Sequence, residues 1–497
     1  MQHLLKIQGF SAYILVVFLN AFTDLGHKII IQNTVFKVYD SSEQVILTAI
    51  VNGLMLLPFI LLFSPSGFIS DRFEKHKVMR LSALAAVVIT LLITLSYYLG
   101  LFWVSFGLTF ALAIQSAIYS PAKYGYIKEL IGNENIASGN AAVQSTTIVA
   151  ILLGIFIYSI GFESLLNISD SYTTKEILQQ IAPLGWCLVI GSLVELKFAY
   201  ALPNKSTQIN EKSFNISLYF KGEYFKRNLK LVSTNKTIWL SIVGLSIFWA
   251  LSQVVLATYP AYVKEYLEVS NVIVVQGLMA LSAIGIVIGS IIASKISRHY
   301  IEIGMVPVGS VGVFLTILFI PILDSLILHG INFFLFGVFG GLLIVPLNSL
   351  IQFNASAKRL GLILAGNNFV QNIAMITFLI ATVFVTVLSI NTIGIFLILA
   401  VIAFFASLYT ILKLPQSLIK FFINWIFSFK YKLNVQGLDN IPQTKGVLLL
   451  GNHISWLDWA FVQLAMPRPV KFVMERTIYE KKLFKPFLDF FWSDTNI

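Results

Sequence analysis

Residues 9–32 read Gly-Phe-Ser-Ala-Tyr-Ile-Leu-Val-Val-Phe-Leu-Asn-Ala-Phe-Thr-Asp-Leu-Gly-His-Lys-Ile-Ile-Ile-Gln. A helix crosses the hydrocarbon core of a bilayer with about 20 mostly apolar residues, and this run is long enough. Its apolar stretch from Phe10 to Asn20 continues through Asp24 and Lys28 without a small-residue cleavage site, so it reads as a spanning helix and not as a cleaved leader. Runs of the same kind recur at 44–66, 79–99, 101–119, 136–160, 181–202, 236–259, 271–296, 303–322, 327–350, 360–388 and 390–413. The sequence therefore predicts twelve spans. Composition agrees: of 497 residues, 57% are hydrophobic and 11% charged, whereas soluble domains carry about 25% charged residues. A soluble enzyme cannot enclose that much apolar surface, and disordered chains are poor in it.

The only cysteine, Cys187, excludes an internal disulfide and a thiolate metal cluster. No metal and no cofactor is expected. The net charge of +11 fits basic loops held at an anionic inner leaflet better than nucleic acid, for which no basic helix or domain is present. Loop 2–3 holds Arg72, Lys75, Lys77 and Arg80, and loop 4–5 holds Lys123 and Lys128. Loop 6–7 holds Lys205, Lys212, Lys221, Lys226, Arg227 and Lys230; Lys295, Arg298, Lys358 and Arg359 follow in loops 8–9 and 10–11. The opposite loops are sparse in cations and carry Asp40, Glu43, Glu163, Asp170, Glu265 and Glu268. These biases put the basic loops and both termini in the cytoplasm. The longest polar interruption separates a six-helix half at 1–202 from another at 235–414, with a central loop at 203–234. Such a layout suits two halves with a substrate path between them.

Gly67-Phe-Ile-Ser-Asp71-Arg72-Phe-Glu-Lys75-His-Lys77 follows the second apolar run. Gly67 would permit close helix approach, Asp71 would pair with cations or cap the next helix, and Arg72 would hold the loop inside. This stretch resembles the loop between helices two and three of the major facilitator superfamily. The corresponding stretch from Gly289 has Ala293 in place of Asp. Ser120-Pro-Ala-Lys123-Tyr-Gly125, Ala150-Ile-Leu-Leu-Gly154 and Asn20-Ala-Phe-Thr-Asp24 resemble one branch of that superfamily, the bacterial lysophospholipid transporters. The family's residue after the Asp is usually Asn, where this chain has Leu25. The resemblance covers about 10–413. It implies an all-α polytopic membrane protein of the twelve-helix, six-plus-six facilitator fold in a bacterial inner membrane.

A charge at the bilayer centre costs about 2.5–3.5 kcal/mol on insertion scales, so Asp24 and Lys28 need a reason to be there. They could pair across one helical turn, or face a cavity and meet a zwitterionic headgroup or a coupling cation. Lys123 is a further candidate for a phosphate or carboxylate contact. Asn367, Asn368, Gln371 and Asn372 are too polar for lipid, and would line the cavity or bond a neighbouring helix. Gln115, Gln144, Gln253 and Gln276 are weaker cases. Glu195 and Lys197 read as a snorkelling pair, and His27 as a packing residue.

Beyond Leu414-Pro415 the character changes. Leu418, Phe421, Phe422, Trp425 and Phe429 share one face of a short amphipathic helix, an interfacial linker over 415–430. Gly446-Val-Leu-Leu-Leu-Gly451 reads as a buried strand. Then comes Asn-His453-Ile-Ser-Trp-Leu-Asp458-Trp. In a chain with six histidines, H-x4-D spacing alone means little; with its context it resembles the first block of the glycerolipid acyltransferases. Lys471-Phe-Val-Met-Glu475 and Phe484-Lys-Pro-Phe487 fit the segment that follows. The resemblance implies that His453 is the general base on a lipid hydroxyl and Asp458 its partner. The acyl thioester donor would be acyl carrier protein or coenzyme A. The family's later Arg and Glu-Gly-Thr blocks do not occur before Ile497. Residues 431–497 are thus expected to be an incomplete α/β acyltransferase domain, inactive as it stands.

The expected function is movement of lysophospholipid, foremost lysophosphatidylethanolamine, to the cytoplasmic leaflet, with membrane lipids as the other partners. The alternatives are a membrane-anchored 2-acylglycerophospholipid acyltransferase and a facilitator for a soluble small molecule. In a Cys187→Ser background, cysteines at Lys75 and Lys226 should react with a membrane-impermeant thiol reagent only after the cells are permeabilised. Labelling of one but not the other in intact cells would break the topology.

Overall fold

Each apolar run becomes a helix in the computed structural model, which describes residues 6–131, 136–167, 172–204, 216–297, 301–355 and 360–428, and then 430–431, 434–437, 440–442, 446–452, 454–455, 457–466 and 470–472. The spans are Phe10–Val38, Ser41–Leu61, Lys75–Tyr98, Phe102–Ile131, Ala142–Leu165, Pro183–Tyr200, Lys236–Tyr266, Val272–Ile296, Met305–Ile322, Leu326–Asn354, Gly366–Val387 and Thr392–Lys413. They are called spans one to twelve. All twelve expected spans are present. In hydrocarbon each backbone N–H and C=O must be satisfied within the segment, and an α-helix does this at every position.

Helix ends differ from the apolar runs where the helix continues past them. Span four runs on to Ile131 through Pro121, so Lys123 sits on a helix and not in a loop. Apolarity marks only the lipid-embedded part of a helix; intrahelical bonding carries the rest. Span two ends at Leu61, and a separate helix, Phe63–Arg72, carries Gly67, Asp71 and Arg72. A β-carbon at Gly67 would meet nothing within 4 Å, so close approach is not what this glycine provides. Arg72 lies over the ring of Phe68 at 5.7 Å. The expected pairing or capping by Asp71 falls on a side chain outside the described residues.

The two halves repeat one another in packing. Span one packs on five and six, three on four and six, and two on four; seven packs on eleven and twelve, nine on ten and twelve, and eight on ten. Each pair in the first half recurs six spans later. Across the halves, span two meets seven and eleven, and span five meets eight. Outward faces stay apolar: Leu81, Leu84, Val88, Leu91, Leu92 and Leu95 of span three are all exposed, as suits a lipid-facing surface.

Spans eight and ten approach through glycines. A β-carbon on Gly285 or Gly289 would collide with the backbone of Phe334 or Val338, and one on Gly337 with the Ser282 carbonyl. Gly289 therefore keeps a structural task although the surrounding motif is degenerate.

After span twelve, the amphipathic helix Pro415–Ser428 follows. Phe421 packs with Ala293, Met305 and Leu342, while Phe422, Trp425 and Ile426 are exposed. Gly304 leaves room for Ser417 and Phe421 to approach. Lys420 donates to the Met466 carbonyl at 2.5 Å, and burial lowers its pKa against the raising effect of Glu302. The expected strand at 446–451 is not formed. Residues 446–450 are irregular and Leu448 and Leu450 are 80% and 88% exposed. A lone extended segment without a paired strand has no ladder to join, and no strand occurs among the described residues. The α/β character expected for this region is therefore absent from them. The helix Asp458–Ala465 follows.

Gly337→Leu should force spans eight and ten apart and cost about 1–3 kcal/mol by overpacking. Thermal unfolding of the purified protein should show the loss, while Gly67→Ala leaves the transition unchanged.

Candidate functional site

The helical repeat of span one stacks Asn20, Thr23, Asp24, His27 and Lys28 along one side. Asn20 and Thr23 are buried, and Asp24 is half-buried and accepts a hydrogen bond from the Ser116 hydroxyl of span four. His27 is fully buried, 2.7 Å from the Tyr97 hydroxyl and 3.1 Å from both the Ser105 carbonyl and the Thr109 hydroxyl. It ties span one to spans three and four, which fits a packing role. Lys28 has no hydrogen-bond or ion-pair partner among the described residues, so the pairing with Asp24 is not made. Ser116 takes one oxygen of the Asp24 carboxylate instead, and the half-buried Lys28 lies one turn away.

Lys123 joins this cluster from span four. Its ammonium lies 5.8 Å from the Tyr119 ring and 4.8 Å from the Tyr124 ring, and it acts electrostatically on Asp24. Ser116 is two turns before Lys123, which places both on one face; that spacing was the available sequence signal for Ser116. Glu195 of span six is also here, fully buried, whereas Lys197 is exposed. Residues two apart on a helix point to opposite sides, so the expected Glu195–Lys197 snorkelling pair does not form.

The span-eleven amides bond within their own helix. Gln371 donates to the Asn367 side-chain oxygen at 2.8 Å, and Asn372 to the Asn368 carbonyl at 2.9 Å. Asn367 is buried and Asn368 exposed. None of these bonds reaches the Asp24 cluster. In the C-terminal region, Asp458 accepts hydrogen bonds from the Ile454 and Ser455 amides at 2.6 and 2.9 Å and so fixes the turn beside position 453. His453 lies outside the described residues.

A polar clasp joins the halves at one end. Glu163 at the end of span five takes the Lys37 ammonium at 2.9 Å and the Val272 amide of span eight at 2.7 Å. Lys264 of span seven meets Asp40 at 2.6 Å and donates to the Phe36 and Tyr39 carbonyls. Gln276 donates to Asn33 at 3.1 Å. At the opposite end Lys75 pairs with Glu129 at 2.6 Å, passing over Gly125, within the first half. At the Glu163–Lys264 end the two halves are thus joined by an ion pair and hydrogen bonds.

The profile of the Major Facilitator Superfamily matches residues 8–379, three quarters of the sequence. The chain belongs to the major facilitator superfamily. This facilitator is 28% identical over 380 residues to the lysophospholipid transporter LplT of Photorhabdus laumondii, covering 76% of the chain and 88% of that relative. It is 28% identical over 389 residues to LplT of Escherichia fergusonii, covering 75% and 87%. Among solved structures, a POT family transporter in complex with 5-aminolevulinic acid superposes with a TM-score of 0.60 at 13% identity, covering 83% of the chain and 97% of that structure. A bacterial homologue of the iron transporter ferroportin in its inward-facing state gives 0.58 at 13%, covering 82% and 98%. These two share the fold. A second profile, Acyltransferase, matches residues 432–493.

Replacing Glu163 with Ala removes the partner of Lys37 and the acceptor for Val272. The facilitator should then open more readily at this end. A cysteine at Gln32, in the Cys187→Ser background, should label about five- to tenfold faster, equivalent to about 1–1.4 kcal/mol.

Proposed function

We propose that this facilitator moves lysophospholipid, foremost lysophosphatidylethanolamine, from the outer to the cytoplasmic leaflet of a bacterial inner membrane. The observation that carries the reading is the split charge set of the first half: Asp24 with Lys28 one turn on, unpartnered among the described residues, and Lys123 across from them on span four. A zwitterionic headgroup offers the complementary pair, an ammonium for Asp24 and a phosphate for Lys28 or Lys123. Buried charge is retained in a membrane where it meets substrate or partner. The relatives named lysophospholipid transporters support the same substrate class. The single acyl chain can stay in lipid while the headgroup crosses the polar interior.

On this reading residues 1–202 and 235–414 rock as halves about the site, with 203–234 as the connecting loop. The basic loops mark the cytoplasmic end, so the Glu163–Lys264 clasp closes the outer face, and both termini lie inside. Asn367, Asn368 and Gln371 lie on the second half's side of the path. Residues 415–430 rest in the inner interface, and 431–497 belong to re-acylation of the delivered lipid, where proximity raises effective concentration.

The match to acyltransferases at 432–493 favours one second reading, in which acyl transfer is the activity and the helices are its anchor. Membranes containing the chain would then acylate lysophospholipid from a thioester donor and lose that activity with His453→Ala.

Uptake of labelled lysophosphatidylethanolamine into spheroplasts tests the transport reading. Asp24→Asn and Lys28→Ala should each lower it at least tenfold, with Gln144→Ala, at an exposed position, unchanged. Uptake no greater than in an empty-vector strain refutes it.

A further inference from the structure

Beside the clasp the two halves enclose a small polar cavity. Its walls come from spans one and two of the first half and spans seven and eight of the second. Phe36 and Val272, whose backbone groups serve the clasp, are part of them. The cavity measures about 10 Å³ to the centre of a water-sized sphere, enough for about one water molecule. Cavities lined only by apolar groups stay dry, but here Gln32, Asn33, Thr48 and Gln276 all line the space. None of the described residues lining it carries a charge.

The hydrogen bonding of these groups calls for an occupant. Asn33 is fully buried, and its side-chain oxygen accepts from Gln276 of the other half at 3.1 Å, yet its Nδ2 donor is unpaired. A buried donor left without an acceptor forfeits the hydration it had in the unfolded chain. Thr48 is 3% exposed, and its hydroxyl has no partner among the described residues. Gln32 donates through Nε2 to Asn52 at 3.3 Å, and its side-chain oxygen remains as an acceptor. The site thus offers donors and acceptors together. A bare anion would meet carbonyl oxygens, and a bare cation would meet the Asn33 N–H. A water molecule donates as well as accepts, and buried waters typically make about three bonds to groups otherwise unsatisfied.

We propose that this cavity is a water site shared by the two halves. A single molecule accepts from Asn33 Nδ2, reaches Gln32 and Thr48 of the first half, and is held from the second half by the Gln276 amide. It completes the hydrogen bonds that the side chains leave open while the halves are joined. When the halves part, bulk water supplies the same bonds, so the amides give up little on separation. The same groups thus serve the join and its release. None of this depends on what is carried, and the site stands apart from the transport reading.

Hydroxyl-radical labelling of the purified full chain, with radicals made by a brief X-ray pulse, tests the site. Radicals formed from an enclosed water oxidise the side chain beside it. Met279 lines the cavity and is 9% exposed, whereas Met305 is fully buried elsewhere in the second half. Met279 should be oxidised to the sulfoxide about tenfold faster than Met305. Val275→Leu adds a carbon at the cavity wall and removes no side-chain hydrogen bond. By filling the space it should lower the Met279 rate about fivefold. Equal rates for the two methionines in the wild type, which needs no variant to fold, overturn the proposal. So does a fast Met279 rate unchanged by Val275→Leu, because the radicals then arrive from bulk solvent. Gln276→Leu tests the sharing between halves. It should lower the Met279 rate as Val275→Leu does, and a rate unchanged or raised overturns the sharing.

Discussion

Hydrocarbon supplies no hydrogen bonds and no counter-charges, and the whole architecture answers to that fact. It makes every span a helix, because only there does the backbone satisfy itself. It also sorts the side chains. The outward surfaces of spans three, eleven and twelve are mainly Leu, Val, Ile and Phe, whereas Asn20, Asp24, His27 and Glu195 turn inward. Each inward polar residue then needs a local answer: Ser116 for Asp24, and Tyr97, Ser105 and Thr109 for His27.

The six-span repeat in packing explains how two halves of dissimilar sequence build one transporter. What repeats is the set of helix neighbours, which depends on which faces are small or apolar and tolerates wide residue change. Gly289 illustrates this. Its motif has lost the acidic residue, yet its missing side chain still lets span ten lie close. The halves differ where they meet: the cross-half contacts of span two and span five are backed by Glu163, Lys264 and Gln276 at one end. Those polar contacts can be exchanged for water at modest cost, whereas a dry apolar contact has no such exchange.

The number of spans was legible because apolar run length is a direct readout of bilayer thickness. Asp24, Lys28 and Lys123 were legible as candidates because charge in an apolar run is conspicuous. Their partners were not. Nothing in the periodicity says that Ser116 and not Lys28 takes the Asp24 carboxylate, since that depends on the rotation of span four against span one. Glu195 was misassigned for the same reason: its neighbour in sequence, Lys197, lies on the other side of the helix, and its spatial neighbours come from elsewhere in the chain. Leu25 shows the limit of motif comparison, for at a position where the resemblance leads one to expect Asn it packs beside Gly154 of span five. The strand expected at 446–451 does not form because apolar content alone does not bring burial, which needs something to pack against.

The helix Pro415–Ser428 is seated on spans nine and twelve, with Phe421 wedged at Gly304 and Lys420 latched to Met466. Both anchoring spans belong to one half. Among the described residues this helix touches the second half and the helix Asp458–Ala465, so any displacement of that half against the first would carry the helix along with it.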